Sequence, residues 1–113
     1  MLSHCPTRPE WGYFEDVTGG ELIEDALREF SARVGTVLAY IHGHDHGDMT
    51  ETAENLPYTR VAVGCAKVSR PRKGTEGIVY QPRNPADETR LLFDVVLVDP
   101  QAERVRLIRF GAG

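Results

Sequence analysis

The chain has 113 residues, of which 41% are hydrophobic and 27% are charged, and its formal net charge is −4. This composition is typical of one soluble globular unit rather than of a disordered or membrane segment. Basic residues form only one short cluster, at residues 70–73. The sequence therefore shows no extended positive surface of the kind that binds nucleic acid. No apolar run reaches about 18 residues and no basic leader is present, so we predict a cytoplasmic protein without a membrane span.

The two cysteines, Cys5 and Cys65, form no CxxC pair. The sequence therefore indicates neither a zinc ribbon nor a disulfide framework. Cys5 adjoins His4, but a lone cysteine is more often a small buried hydrophobic residue than a ligand. We predict that both cysteines are plain thiols.

The first part of the chain is predicted to form a loop and then a helix. Residues 5–20 are rich in proline, glycine and aromatic side chains, which favours an ordered surface loop. Thr18 and Glu21 match a capping box, which marks a helix start. Apolar residues then recur at helical spacing, so the pattern predicts an amphipathic helix over residues 21–34.

Strands are predicted in the middle of the chain. Residues 36–41 form a continuous apolar run, which predicts a strand buried on both faces. Alternating residues predict a second strand over residues 58–65. Residues 66–88 are polar and interrupted by proline and glycine, which predicts a long excursion with one short strand near residues 78–80.

The end of the chain is predicted to form a β-hairpin, because a turn composition joins two apolar-rich segments, residues 91–98 and 104–110. In the second arm Arg104, Arg106 and Arg109 interleave with apolar residues, which predicts one solvated face and one packed face. Together with the helix, these elements predict an α+β fold in two layers.

Three of the four histidines, His42, His44 and His46, follow the predicted buried strand within five residues. If the backbone stays extended there, His44 and His46 project to the same side and can hold an ion. Gly43 and Gly47 would let the backbone bend and would leave room for that ion. Two alternatives stay open: a solvated histidine-rich loop, and a role for His42 in orienting its neighbours. Asp45 and Asp48 are candidate acceptors for the second ring nitrogens.

Two short motifs resemble those of the calcineurin-like metallophosphoesterases. Residues 40–46 (YIHGHDH) are similar to the strand and GHxH loop that close the metal site of that family, and residues 2–4 (LSH) are similar to its preceding SH motif. Residues 104–113 resemble the final strand of bacterial and phage members. The resemblance covers essentially the whole chain and implies one side of an αββα sandwich, so that residues 1–113 correspond to the carboxy-terminal half of the domain.

The resemblance implies a metal-dependent phosphoester hydrolase. His4 and His44 would bind one divalent ion and His46 the other, with His44 and His46 as catalytic residues. The ions would be manganese, iron or zinc, two in the complete site, and together they would clamp the phosphoryl group of a phosphoester substrate. Arg70, Arg72 and Arg83 are candidate phosphate contacts, although arginines in such a segment are more often simply solvated.

The other ligands of the family site have no counterpart in the sequence, because the DxH, GDxxD and GNH motifs do not occur. We therefore expect that the amino-terminal half is absent or arrives on a partner chain. We also expect that the chain alone hydrolyses phosphoesters poorly, and that it self-associates through the apolar face that the missing half would cover.

Other readings fit less well or stay open. A metallo-β-lactamase-type HxHxDH is not matched by residues 42–48 (HGHDHGD), and the helix before the histidines argues against a cupin barrel. A non-catalytic module that binds a metal or a partner chain is the remaining alternative.

Overall fold

The computed structural model describes residues 1–7, 18–44, 46–64 and 78–112. Its elements in chain order are β1 (Leu2–Ser3), α1 (Gly20–Arg33), β2 (Ala39–His42), β3 (Met49–Glu51), β4 (Thr59–Ala62), a short 3-10 helix (Glu88–Arg90), β5 (Leu92–Asp99) and β6 (Arg104–Gly111). They form a mixed α+β structure, as predicted. None of the helices in the described ranges has both the length and the apolar content that a membrane crossing requires.

The main sheet has four strands in the order β1-β2-β4-β3. β2 is central and pairs in parallel with both β1 and β4, while β3 is antiparallel to β4. All four residues of β2 are buried, which confirms a buried strand, but the strand spans Ala39–His42 and not the predicted residues 36–41. β1 and β3 were not predicted, because strands of two and three residues are too short to show a period.

Helix α1 lies within one residue of its predicted bounds, but its start differs from the prediction. The N-cap residue is Gly19, with φ 82° and no side-chain cap, so the Thr18 and Glu21 capping box is wrong. The helix begins close to another part of the chain, because a Cβ on Gly20 would lie 1.8 Å from the Thr7 carbonyl oxygen. Only glycine fits there, so this close approach replaces the predicted cap.

The core lies between α1 and the main sheet. Its buried members are Val37, Tyr40, Leu56 and Tyr58, and Ile23 and Leu27 of α1 pack against them.

Charged side chains are buried beside this core. Arg60 of β4 is fully buried and pairs with Glu24 of α1 at 2.9 Å and with Glu51 of β3. Glu24 also accepts a hydrogen bond of 2.7 Å from the Thr7 hydroxyl. Ionic contacts as well as apolar packing therefore join the helix to the sheet.

The predicted terminal hairpin is confirmed as the antiparallel pair β5 and β6. The predicted solvated arginine face is only partly right. Arg104 and Arg106 are exposed, but Arg109 is on the half-buried inner face, where its guanidinium contacts Asp94 and Asp48. A strand has a period of two, so Arg109 shares a face with Val105 and Leu107.

The opposite surface of the hairpin is largely apolar. We call it the outer hairpin face, and its apolar members are Phe93, Val95, Leu97, Ile108 and Phe110. The rings of Phe93 and Phe110 stack across the strands with centroids 5.1 Å apart, yet the two residues are 51% and 47% exposed.

The segment predicted as an excursion is described only from residue 78 onward. Val79 pairs with Asp48 in an isolated antiparallel bridge, where a short strand was predicted. The predicted surface loop is described at residues 5–7 and 18–20 only, and Cys65, Arg70 and Arg72 lie outside the described residues.

Candidate metal centre

The register of β1 on β2 brings distant histidines together. Ser3 pairs with His42, so that His4 and Gly43 follow their strands at the same edge of the sheet. The Gly43 amide donates a hydrogen bond to the His4 carbonyl oxygen at 3.2 Å. Because the carboxyl ends of parallel strands share one edge, the two chain segments leave the sheet side by side. His4 and His44 therefore meet although 40 residues separate them.

The two imidazole rings and one thiol form a compact group. The Nδ1 atom of His44 lies 3.3 Å from the Nε2 atom of His4, and the ring planes are nearly perpendicular at 88°. Cys5 joins them, and the ligand atoms of the three residues all lie within 4.8 Å of one another. His4 is exposed while Cys5 and His44 are half-buried, so that solvent reaches the group. These three residues can hold a metal ion.

The spacing of the ring nitrogens fits a shared ion. With Zn–N bonds of about 2.0–2.1 Å, two ligands of a tetrahedral ion are separated by about 3.3–3.4 Å. The His4 and His44 nitrogens are already at 3.3 Å. Without an ion, the same separation suits a hydrogen bond between two neutral rings of suitable tautomer. The donor set therefore fits a divalent transition metal with little rearrangement.

The electrostatic setting of His44 favours ligation. Burial lowers the pKa of His44, and electrostatic interaction with the neighbouring His4 and His46 rings lowers it further. A lowered pKa keeps the ring neutral near pH 7, and the neutral ring is the form that binds a metal.

The loop that carries His44 and His46 is not extended. β2 ends at His42, and His44 and His46 have φ values of 74° and 61°, in the left-handed region. The alternating projection that an extended backbone predicts for these two side chains is therefore wrong. A non-glycine residue in this conformation costs about 1–2 kcal/mol. Such strain persists only where surrounding contacts hold it, and it is concentrated at functional sites.

The predicted role of Gly43 and Gly47, to let the backbone bend and leave room for an ion, is not supported by their surroundings. A Cβ on Gly43 would meet only the His4 carbonyl oxygen, at an ordinary 3.8 Å. A Cβ on Gly47 would lie 2.3 Å from the Ile78 side chain. Gly47 is therefore needed for packing against the chain near Ile78, and the bends fall on the histidines themselves.

His46 is half-buried, and its interaction with the His44 ring contributes to the lowered pKa of His44. Among the described residues, the compact group comprises His4, Cys5 and His44, and His46 lies outside it. The structure thus brings together two of the three histidines predicted as ligands.

His42 is built into the protein behind the site. It is 1% exposed, its ring is tilted against Tyr40, and its Nδ1 atom lies 3.0 Å from the Gly43 carbonyl oxygen. A carbonyl oxygen only accepts, so Nδ1 carries the proton and donates. Burial is the main cause that lowers the pKa of His42. This geometry matches the orienting alternative for His42.

Asp48 was predicted as an acceptor for a histidine ring, but its contacts anchor the loop instead. Its carboxylate accepts from the Gly64 amide at 2.7 Å and from two guanidinium nitrogens of Arg109, each at 2.7 Å. Burial acts to raise the pKa of Asp48, but these hydrogen bonds hold it below its ordinary value. Arg109 therefore joins the histidine loop to the terminal hairpin. Asp45 lies outside the described residues.

Two contributors were missed by sequence reasoning. Cys5 was interpreted as a plain thiol, although its position next to His4 at a strand end was a usable signal. Arg109 was assigned to a solvated face, and no local signal pointed to its contact with Asp48. Arg83, a candidate phosphate contact, donates to the Arg90 carbonyl oxygen at 3.4 Å.

Comparisons of the chain with models of protein families, with curated proteins and with solved structures found no match. The function therefore has to be argued from the site itself.

Proposed function

We propose that this chain supplies the histidine side of the metal centre of a calcineurin-like phosphoester hydrolase. The observation that carries the proposal is the 3.3 Å approach of the His4 and His44 rings from the ends of two adjacent parallel strands. These are the two positions at which the SH and GHxH motifs resemble that family. The resemblance and the contact are independent of each other, because the motifs are local and the contact is long-range.

Each residue has a distinct role in the proposed centre. His4 and His44 hold one ion as neutral imidazoles, and the family resemblance assigns His46 to a second. His42 supports the loop from behind, and the Asp48 and Arg109 pair fixes its far end. Divalent ions bound here would supply the positive charge that polarises a phosphoester and activates water.

The acidic ligands must come from elsewhere, because the DxH, GDxxD and GNH motifs do not occur in the sequence. We propose that they are provided by a companion segment, either on another polypeptide or in a longer form of this one. Zinc, iron and manganese all accept imidazole, so the histidines alone do not choose among them. Without the bridging carboxylate a second ion is not held against the first, so the chain alone turns over slowly or not at all.

The test combines metal binding with hydrolysis. The purified chain is titrated with zinc and with manganese by calorimetry, and it is assayed on an aryl phosphate and a phosphodiester. We expect one ion per chain, lost in His4→Ala and His44→Ala, and kept in Gln101→Ala, an exposed control at the hairpin turn. We expect negligible hydrolysis until a segment with the DxH, GDxxD and GNH motifs is added.

Two results would contradict the proposal. Metal content that stays the same in His4→Ala and His44→Ala would show that these two histidines do not form a metal site. Hydrolysis by the chain alone that needs manganese and disappears in His44→Ala and His46→Ala would show that no companion segment is required.

A second candidate function is a non-catalytic metal-binding module. The observation that favours it is the thiol of Cys5 in the compact group, which contains no carboxylate among the described residues. Such a module would bind a metal ion through His4 and His44, but an added segment with the DxH, GDxxD and GNH motifs would not produce hydrolysis.

A further inference from the structure

We infer that Cys5 is a metal ligand and that His4, Cys5 and His44 form a zinc-selective site with three protein ligands and one open position. The inference rests on the metal site of the proposed function, but it does not depend on phosphoester hydrolysis. It also differs from the family resemblance, which implies histidine ligands only.

The position of Cys5 is set by the core. The hydroxyl of Tyr40 donates a hydrogen bond of 2.9 Å to the Cys5 carbonyl oxygen, and Tyr40 is fully buried in β2. The next two residues, Pro6 and Thr7, are buried as well. The backbone after the thiol is thus anchored, and the backbone before it is held by the Gly43 amide, which donates to the His4 carbonyl oxygen. This is the preorganisation that a ligand needs.

The thiol is close enough to share an ion with both rings. Its sulfur lies within 4.8 Å of the ligand nitrogens of His4 and His44. With a Zn–S bond of about 2.3 Å and Zn–N bonds of about 2.0–2.1 Å, the sulfur and nitrogen ligands of one tetrahedral ion are separated by about 3.6 Å. A small side-chain movement therefore closes the site, and Cys5 is a free thiol that is available for it.

The donor set selects the metal. Thiolate is a soft ligand that favours zinc. Manganese prefers oxygen ligands, and among the first-row divalent ions it binds a given protein site most weakly. On binding, the ion replaces the thiol proton, which passes to the solvent. Two imidazoles and one thiolate leave a fourth tetrahedral position, and the exposure of His4 places the site within reach of solvent or of a companion segment.

The test uses cobalt(II) as a spectroscopic substitute for zinc in the reduced, full chain. We expect a sulfur-to-cobalt charge-transfer band in the near ultraviolet, together with the visible bands of a tetrahedral ion. The band should disappear in Cys5→Ser and persist in Cys65→Ser, the matched control. Zinc affinity in Cys5→Ser should fall at least about tenfold, the lower end of the loss for an outer-shell partner.

Three further measurements complete the test, and the first two keep it independent of folding. Circular dichroism of the metal-free Cys5→Ser variant should match that of the unchanged chain. A Cys5→Asp variant, which keeps an anionic ligand, should recover part of the zinc affinity without the charge-transfer band. In competition, zinc should displace manganese completely at equal concentrations.

The outcomes separate this inference from the proposed function. Cobalt binding without a charge-transfer band, and unchanged in Cys5→Ser, would overturn the role of Cys5 while leaving the histidine site in place. A band that disappears in Cys65→Ser would also overturn it. Equal affinities for manganese and zinc would overturn the selectivity. A chain that binds no metal at all would overturn both proposals.

Discussion

At the scale of single residues, the histidine loop contains an unusual backbone. His44 and His46 both lie in the left-handed region, which glycine adopts without steric cost. The neighbouring contacts that hold them there are the close packing of Gly47 against Ile78 and the bridge between Asp48 and Val79. These contacts therefore fix the end of the loop, at Gly47 and Asp48, before any ion binds.

The strain at His46 has a measurable consequence. In the metal-free chain, we expect His46→Gly to be more stable than His46→Ala by about 1 kcal/mol, because glycine lacks the Cβ that disfavours positive φ. Urea unfolding of the two variants measures the difference. At an ordinary helical position the sign should reverse, and Ala32→Gly in α1 should lose about 1 kcal/mol. Equal stability of the two His46 variants would show that the loop is not strained.

At the scale of elements, the packing of α1 on the sheet depends on a buried ionic cluster. Glu24 lies on the face of α1 that packs against the sheet and is 4% exposed, and its partner Arg60 is fully buried. Charges buried in this way are tolerated only when they are paired. The cluster consequently fixes the position of α1 on the sheet. Apolar contacts alone would define that position less precisely.

Replacing only Arg60 should destabilise the chain more than replacing Arg60 and Glu24 together. We expect Arg60→Met to destabilise the chain by about 3 kcal/mol, because buried Glu24 then loses its fully buried cation and keeps the partly exposed Arg28 as a cationic partner. The double variant Glu24→Gln with Arg60→Met should regain at least about 1 kcal/mol of that loss. Arg33→Met, at an exposed pair with Glu29, should change stability by less than about 1 kcal/mol.

Chemical denaturation of the four proteins gives these values. If the double variant is no more stable than Arg60→Met, then the cost comes from lost packing volume and the ionic pairing is not its cause.

At the scale of the whole molecule, polar contacts help to join the hairpin to the other described residues. Arg109 contacts Asp48, and the Thr36 hydroxyl donates to Glu103 at 2.6 Å. Between the inner side of the hairpin and the main sheet lies an apolar cavity of about 410 Å³, lined in part by Leu27, Ile41 and Val96. The described elements thus leave apolar surface open on both sides of the hairpin.

We expect the chain to self-associate through the outer hairpin face. Exposed apolar surface of this kind is stabilised when a second copy covers it. Replacing Phe93 and Phe110 by serine should shift the chain toward monomer in light scattering after size exclusion. Leu22→Ser, on the exposed side of α1 and 74% exposed, is the control and should leave association unchanged. A monodisperse monomer of the unchanged chain would contradict this expectation.

The sequence by itself determined the long, periodic elements. Helix α1 and the two hairpin strands lie within one residue of their predicted bounds, because their apolar periods repeat over 14 and 8 residues. The buried strand β2 and the histidines that follow it were also readable, since both are local features of composition. The absence of the DxH, GDxxD and GNH motifs was likewise readable from the sequence alone.

Only the tertiary structure decided which of these residues meet. The two-residue strand β1 shows no period, yet its pairing with β2 places His4 and Cys5 beside His44. The left-handed backbone at His44 and His46, and the inward position of Arg109, depend on packing contacts with residues distant in the chain. Local sequence patterns do not encode such long-range contacts, because the contacts follow from strand register and from the space that neighbouring segments leave.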